Sequence, residues 1–187
     1  MPQNLTVTLV SSPQELQQIL DMQAQNLRHL RSAEEEAREG FVTVCHTPEL
    51  LAAMNEAEPH VIIKDGDRVV AYALCMSTVF RHSVPELKSM FELLDNLQVM
   101  TGKKIPENYL VMGQICVDKN YRGKGLFRQL YTYYFETYLP KYQCILTEVA
   151  VRNTRSMQAH FSVGFKEIWR YTEPGVEDWV VLVKYAP

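Results

Sequence analysis

Apolar and polar positions along this chain follow two periods, and the switches between them mark out its elements. Leu5 to Val10 alternates with period two, which predicts a first strand. Ser12-Pro13-Gln14-Glu15 then combines a helix N-cap, a first-turn proline and a capping-box glutamate. Leu16, Ile19, Leu20 and Leu27 recur behind it at helical spacing, and Ala33 to Arg38 continues as a charged helical patch with a solvated run of glutamates. Thr47-Pro48 caps a shorter helix that carries Leu51 and Met54. His60 to Ile63 and Arg68 to Met76 read as two strands joined by the hairpin turn Asp65-Gly66-Asp67.

Ser83 to Leu97 predicts a helix with Pro85 near its start and Leu87, Met90, Phe91 and Leu94 on one face. Beyond it the elements alternate: strand 109–117, helix 124–138, strand 143–150, helix 154–162, strand 164–171 and strand 177–185. Such an order implies parallel pairing through right-handed crossovers in the middle of the sheet. The last strand pairs antiparallel with its predecessor across Glu173-Pro174-Gly175. The fold class expected is α/β (α+β), a mixed sheet flanked by helices.

At 187 residues the chain is most simply one domain, 1–187, long enough for a substantial core. A net charge of −3 argues against a nucleic-acid partner held by bulk electrostatics. No run approaches the length a membrane helix needs, so no membrane partner is expected. Met1-Pro2-Gln3-Asn4 has no basic segment before an apolar one, which fits a cytoplasmic protein. The cysteines, Cys45, Cys75, Cys116 and Cys144, have no CxxC spacing, so buried free thiols and no metal are expected. His29, His46, His60 and His82 lack partners at ligand spacing and read as surface or capping residues.

The segment richest in chemistry runs from Val117 through Arg122-Gly123-Lys124-Gly125-Leu126 to Phe127 and Leu130. An apolar run, Tyr109 to Val117, precedes it. Phe127, Leu130, Tyr131, Tyr134 and Tyr138 follow as one helical stripe. A glycine turn that opens a helix offers unpaired N–H groups and the positive end of the helix dipole to an anion. Arg122 and Lys124 add charge there. Two readings stand: a pyrophosphate cradle, or a solvated basic turn. The turn is neither a P-loop, because Leu126 follows Gly125, nor a dinucleotide fingerprint, because Arg128 takes the place of the third glycine.

Arg122-Gly123-Lys124-Gly125-Leu126 resembles the Arg/Gln-x-x-Gly-x-Gly/Ala signature of the GNAT superfamily of acetyl-coenzyme A-dependent acyltransferases, with Phe127 departing at the last small position. Asn153-Thr154-Arg155-Ser156 through His160 to Gly164-Phe165 resembles that family's later motif, with His160 where a tyrosine often stands. The resemblance implies a GNAT-like, mostly antiparallel sheet with a central splayed parallel pair. It also makes the region of about 78–108 a helical insertion longer than most members carry, either functional or merely covering a sheet edge. The resemblance implies an N-acetyltransferase that moves an acetyl group from acetyl-CoA, a cosubstrate, to a primary amine within a ternary complex. The alternative is a non-catalytic acyl-CoA-binding or sensing module.

The cofactor-binding residues implied are Ile115, Cys116 and Val117, whose backbone would pair with pantetheine, then Arg122, Gly123, Lys124, Gly125, Leu126, Phe127, Asn153 and Ser156. An alkylamine with a pKa near ~10.4 is only about one part in two thousand neutral at pH 7, so a base is expected. Glu148 is the first candidate and Asp118 the second; for Glu148 a solvent-facing residue or an ion pair is the other reading. Gln114 and Cys116 share a strand face and either orient a water or serve the core. His160 is a candidate acid for the departing thiolate, a base, or a packing residue. The acceptor, a small-molecule or protein amine, is not legible, nor is the acyl length. The tyrosines Tyr131, Tyr133, Tyr134 and Tyr138 suit a core or a homodimer surface.

Overall fold

The computed structural model describes residues 4–27, 42, 44–102 and 104–187. The charged patch from Ala33 to Arg38 and His29 lie outside the described residues. The alternating segments form β1 (Leu5–Leu9), β2 (Val61–Asp65), β3 (Arg68–Met76), β4 (Tyr109–Val117), β5 (Cys144–Ala150), β6 (Lys166–Glu173) and β7 (Glu177–Tyr185). The helices are α1 (Pro13–Asn26), α2 (Pro48–Ala57), α3 (Lys88–Thr101), α4 (Leu126–Tyr138) and α5 (Thr154–Ser162). One seven-stranded sheet results, ordered β1-β2-β3-β4-β5-β7-β6. Every junction is antiparallel except that of β4 with β5.

Local chemistry sets most boundaries. Both halves of the capping box are made at α1, with Ser12 Oγ accepting from Glu15 N–H and the Glu15 carboxylate accepting from Ser12 N–H. α3 departs from expectation. Pro85–Leu87 forms a separate 3₁₀ turn, and the helix runs on past Leu97 to Gly102, whose φ of 72° closes it. Apolar spacing lost that last turn because it is solvent-facing; Val99 and Met100 are exposed. α4 begins at Leu126 because Gly125 is left-handed, at φ 78°.

Each face of the sheet has its own cover. α4 lies on one face, burying Leu126, Leu130, Tyr131, Tyr134 and Tyr138 against Val61, Ile63, Ala73 and Ile145. The stripe differs from expectation at its start, where Leu126 is buried and Phe127 only half-buried. Three of its tyrosines are wholly internal, so they are core and offer no dimer surface. The opposite face is shared: Ile19 and Met22 of α1 with Leu51 of α2 cover Tyr72 and Leu74, while Met90, Phe91 and Leu94 of α3 cover Leu146, Val181 and Val183. Burying one such side chain contributes about 2 kcal/mol, and that makes α3 structural whatever else it does.

Two histidines expected at the surface are interior. His60 is fully buried; its Nδ1 accepts from Cys75 N–H at 3.0 Å and its Nε2 donates to Leu51 O at 3.3 Å, joining β3 to α2. His46 is buried against Gln23 of α1. His82 is exposed, and so is Cys45, unlike the other three thiols.

The sheet opens at its centre. β4 and β5 pair only from Tyr109 and Cys144 to Val111 and Leu146. Along the β3 side, Ala73 faces Ile115 while Cys75 faces Met112, so β4 carries one extra residue at Gly113–Gln114. This bulge exchanges the faces of β4: Leu110 and Met112 join the α4 core before it, and Ile115 and Val117 after it. A bulged strand bends, and β4 leaves β5 directly beyond the bulge. The edge from Met112 onward has no strand partner on the β5 side among the described residues.

Candidate functional site

Two adjoining cavities fill that opening. The larger, about 350 Å³, is lined by Ile115, Cys116, Val117, Arg122, Gly123, Gly125, Leu126, Phe127, Asn153 and Ser156. Every residue expected to bind the cofactor is there except Lys124, whose ammonium lies outside, 4.8 Å over the Tyr121 ring. Asn26, Val42, Tyr121, Arg155 and Ala159 also line it, and the motifs gave no sign of the first two. They arrive through long-range contacts, Val42 N–H donating to Asn26 O at 3.2 Å.

The glycine turn fits a diphosphate. Gly123 and Gly125 have φ of 75° and 78°, and no side chain caps α4, so its first N–H groups face outward. A Cβ added at either glycine would meet no protein atom within 4 Å, so what lies before them is open space. The Arg122 guanidinium turns back, donating from Nε to Val117 O at 3.1 Å and from Nη2 to Asn26 Oδ1 at 3.4 Å. It fixes the turn against β4 and α1. Phe127 at the family's small position packs its ring 5.0 Å from Tyr131 and 5.3 Å from His160, bracing α4 against α5.

The smaller cavity, about 80 Å³, lies between the splayed strands and brings together Gln114, Thr147, Glu148, Asn153, His160 and Trp179. Glu148 shares its face with Leu146 toward α3, and His160 approaches from the α5 side. The Glu148 carboxylate is half-buried and accepts from Tyr171 Oη–H at 2.6 Å. Burial pushes its pKa up to about 7, Tyr171 opposes that, and the nearby Glu173 adds to it. Glu148 therefore faces the cavity, half-buried, and is not ion-paired with any described residue.

His160 is 1% exposed and sits among Phe127, Tyr131 and Phe165. Its Nδ1 lies 2.7 Å from Ser156 O, and a carbonyl only accepts, so Nδ1 carries the proton. Burial lowers its pKa to about 4, and Nε2 has no partner among the described residues. At neutral pH this imidazole presents a bare lone pair and has no proton to give from Nε2. The acid role expected for His160 is not supported.

Other candidates resolve into structure. Asp118 pairs with Arg68 and caps the Lys119–Tyr121 turn by accepting from Asn120 N–H at 2.8 Å, so it is no free base. Gln114 accepts from Tyr72 Oη–H at 2.6 Å and donates to Val44 O at 2.8 Å. Cys116 packs with the α1 cluster, and no thiol lines the inner cavity. Asn153 caps α5 by accepting from Ser156 N–H at 3.2 Å and lines both cavities. The described residues hold no metal-ligating cluster, and none of their helices is long and apolar enough to cross a membrane.

Comparison with known proteins agrees with this architecture. The model of the acetyltransferase (GNAT) family matches residues 24–165. No curated protein matches the sequence. Among solved structures, the ribosomal-protein-S18-alanine N-acetyltransferase of Escherichia coli superposes with a TM-score of 0.63 at 14% identity, covering 97% of this chain and 94% of that one. YncA of Salmonella typhimurium, solved with its cofactor acetyl-CoA, gives 0.64 at 13% identity over 98% and 94%. The NatC complex bound to Gag peptide and CoA gives 0.66 at 12% identity over 98% and 99%. These likenesses are of fold.

Proposed function

This chain is an acyltransferase of the acetyltransferase (GNAT) family, and we propose that it moves an acetyl group from acetyl-CoA to a primary amine, with Glu148 as general base. The observation that carries this reading is a carboxylate with a pKa near 7 in the gap between two splayed strands, beside the glycine cradle. A base of that pKa is half in its working form at neutral pH.

The backbone edge of Ile115–Val117 would hold the pantetheine arm as an added strand, and the N–H groups opening α4 would hold the diphosphate. Acetyl-CoA, when bound, supplies the activated acyl carbon and the thiolate leaving group. Glu148 takes the proton that the arriving ammonium must lose before its nitrogen attacks. His160 keeps its proton on Nδ1, donated to Ser156 O. A thiol with pKa near ~8.5 departs without a dedicated acid. No cysteine in the inner cavity offers a covalent route, so direct attack is the course this chain's residues support. The sensing-module alternative has nothing comparable in its favour.

Calorimetric titration of acetyl-CoA tests the cradle, beside Gly125→Glu, which places a carboxylate where the diphosphate would lie. Micromolar binding lost in the variant supports the reading. A wild type that does not bind would remove it.

A further inference from the structure

Behind Trp179, which lines the inner cavity on the side under α3, lies a second carboxylate. Glu173, at the end of β6, accepts from Ser89 Oγ–H of α3 at 2.8 Å through one oxygen and from Trp179 Nε1–H at 3.2 Å through the other. Trp179 lines the inner cavity with Glu148, and Glu173 is close enough to Glu148 to oppose its ionisation. Both carboxylates are held by neutral donors, Tyr171 for one and Ser89 with Trp179 for the other. Neither makes an ion pair with any described residue, whereas Glu177 on the same hairpin pairs with Arg152 at 2.6 Å. Two charges of one sign kept close together, without a counter-ion, are a cost that a bound cation would relieve.

An independent feature points the same way. His160 is almost wholly buried, lines the same cavity and leaves its Nε2 lone pair unserved among the described residues. The neutral side chains beside it are engaged with the protein, Thr147 Oγ1–H donating to Met112 O at 3.0 Å and Gln114 bridging Tyr72 and Val44. The side-chain acceptors this cavity offers a ligand therefore include Glu148 on one face and His160 on the other. A group rich in N–H and positive in charge satisfies both; an anionic group satisfies neither.

Resting on the function proposed above, we infer that the acceptor is a cationic amine with no carboxylate on the carbon bearing the reacting nitrogen, and that Glu173, clamped by Ser89 and Trp179, is the residue that enforces this. A free α-amino acid would bring its carboxylate against Glu148 and toward Glu173 behind Trp179, a like-charge approach with no cation among the described residues lining the inner cavity to absorb it. An alkylamine, a lysine side chain or a peptide N-terminus brings only the ammonium. Glu148 removes the proton; Glu173 positions and selects.

The test compares kcat/KM for amines with their α-carboxylated counterparts: tyramine with tyrosine, agmatine with arginine, and alanine amide with free alanine. Wild type should favour the member without the carboxylate by at least about tenfold. Glu173→Gln should shrink that preference and raise KM for the amine more than it lowers kcat, and Glu173→Asp should restore part of it. Trp179→Phe, which keeps the charge but removes a donor that aims it, should give a smaller loss of preference. It serves if Glu173→Gln folds poorly. Equal or better use of the α-carboxylated member, a preference indifferent to Glu173→Gln, or no acetylation of any pair while acetyl-CoA still binds would each overturn the inference. Failure of acetyl-CoA to bind the wild type would instead overturn the reading it rests on.

Discussion

The wall that α4 and α5 raise against β4 is mostly backbone: two left-handed glycines, an uncapped helix start and a strand edge released by a bulge. The wall beneath α3 is mostly side chain: Glu148 and Trp179 line it, Tyr171 and Glu173 hold them from behind, and Ser89 fastens the group to a helix. One wall presents donors and the other acceptors. A backbone wall recognises what every donor molecule shares, a diphosphate and an amide arm. A side-chain wall can differ from one family member to the next without disturbing the first. If that division is real, substitutions on each wall should leave the other wall's ligand almost untouched.

The largest separation should come from Glu148→Gln. Loss of a positioned base typically costs about 10²–10⁴ in rate, and acetyl-CoA affinity by calorimetry should stay within about twofold. In wild type the working form of Glu148 grows as pH rises through about 7, so kcat/KM should climb through that pH and flatten above it. The variant should lose that limb. The same shift sets a stability sign. The folded carboxyl keeps its proton to about 7 while the unfolded one releases it near ~4.3, so stability is full below that lower value and declines up to about 7. Glu148→Gln should therefore melt higher than wild type at pH 8. A lower melting point at pH 8 would show that the ionised carboxylate is compensated in some other way.

Arg122→Ala should do the reverse. With its guanidinium no longer tying the turn to Val117 O and Asn26 Oδ1, acetyl-CoA Kd should rise about tenfold, as the loss of charge-assisted hydrogen bonds does. Saturating acetyl-CoA should recover the wild-type turnover. Turnover that stays low would mean that the two walls are coupled.

What could be read from the sequence follows the same division. Arg122 to Phe127 and Asn153 to His160 are contiguous runs whose geometry is set by neighbours in the chain, so these motifs and the resemblance they carry located much of the larger cavity. The acceptor side is different. Between Glu167 and Trp169, β6 carries a bulge that turns Trp169 and Tyr171 toward the α3 core, and no residue type marks it. The bulge at Gly113–Gln114 likewise opens the sheet with only a glycine as a trace. Ser89 meets Glu173 across 84 residues of chain. The direction of the Lys124 ammonium, over the Tyr121 ring, was hidden for a related reason: spacing shows that a charge is near a turn but not which way it points. His60 was misread because alternation cannot tell a buried polar residue with partners from an exposed one without them.

A smaller effect belongs to His160. Its pKa is depressed to about 4, so the unfolded imidazole takes up a proton near ~6.5 while the folded one does not. Stability is intact above that value and is lost as pH falls toward about 4. His60, depressed to about 3, adds a second such proton. In His160→Phe the decline of melting temperature between pH 6.5 and 4 should be shallower than in wild type, whatever the absolute values. Because Nδ1 is committed to Ser156 O, turnover at pH 7 should fall by no more than about tenfold, well short of the loss of a catalytic acid. A loss of a hundredfold or more would return the proton-donor role to this histidine.

Tyr171→Phe should give the smallest change and the sharpest one. The Tyr171 hydroxyl donates to Glu148 at 2.6 Å and is the one influence that lowers the carboxyl's pKa, against burial and Glu173. Without it the carboxylate form is favoured less, so the rise of kcat/KM should move from about 7 to higher pH. Activity should fall at pH 6.5 and approach wild type at pH 9, where the base is ionised in both. Acetyl-CoA affinity should not change, because Tyr171 belongs to the acceptor wall alone. A profile displaced to lower pH, or an equal loss at every pH, would mean that Tyr171 acts on the amine itself and does not tune the base beside it.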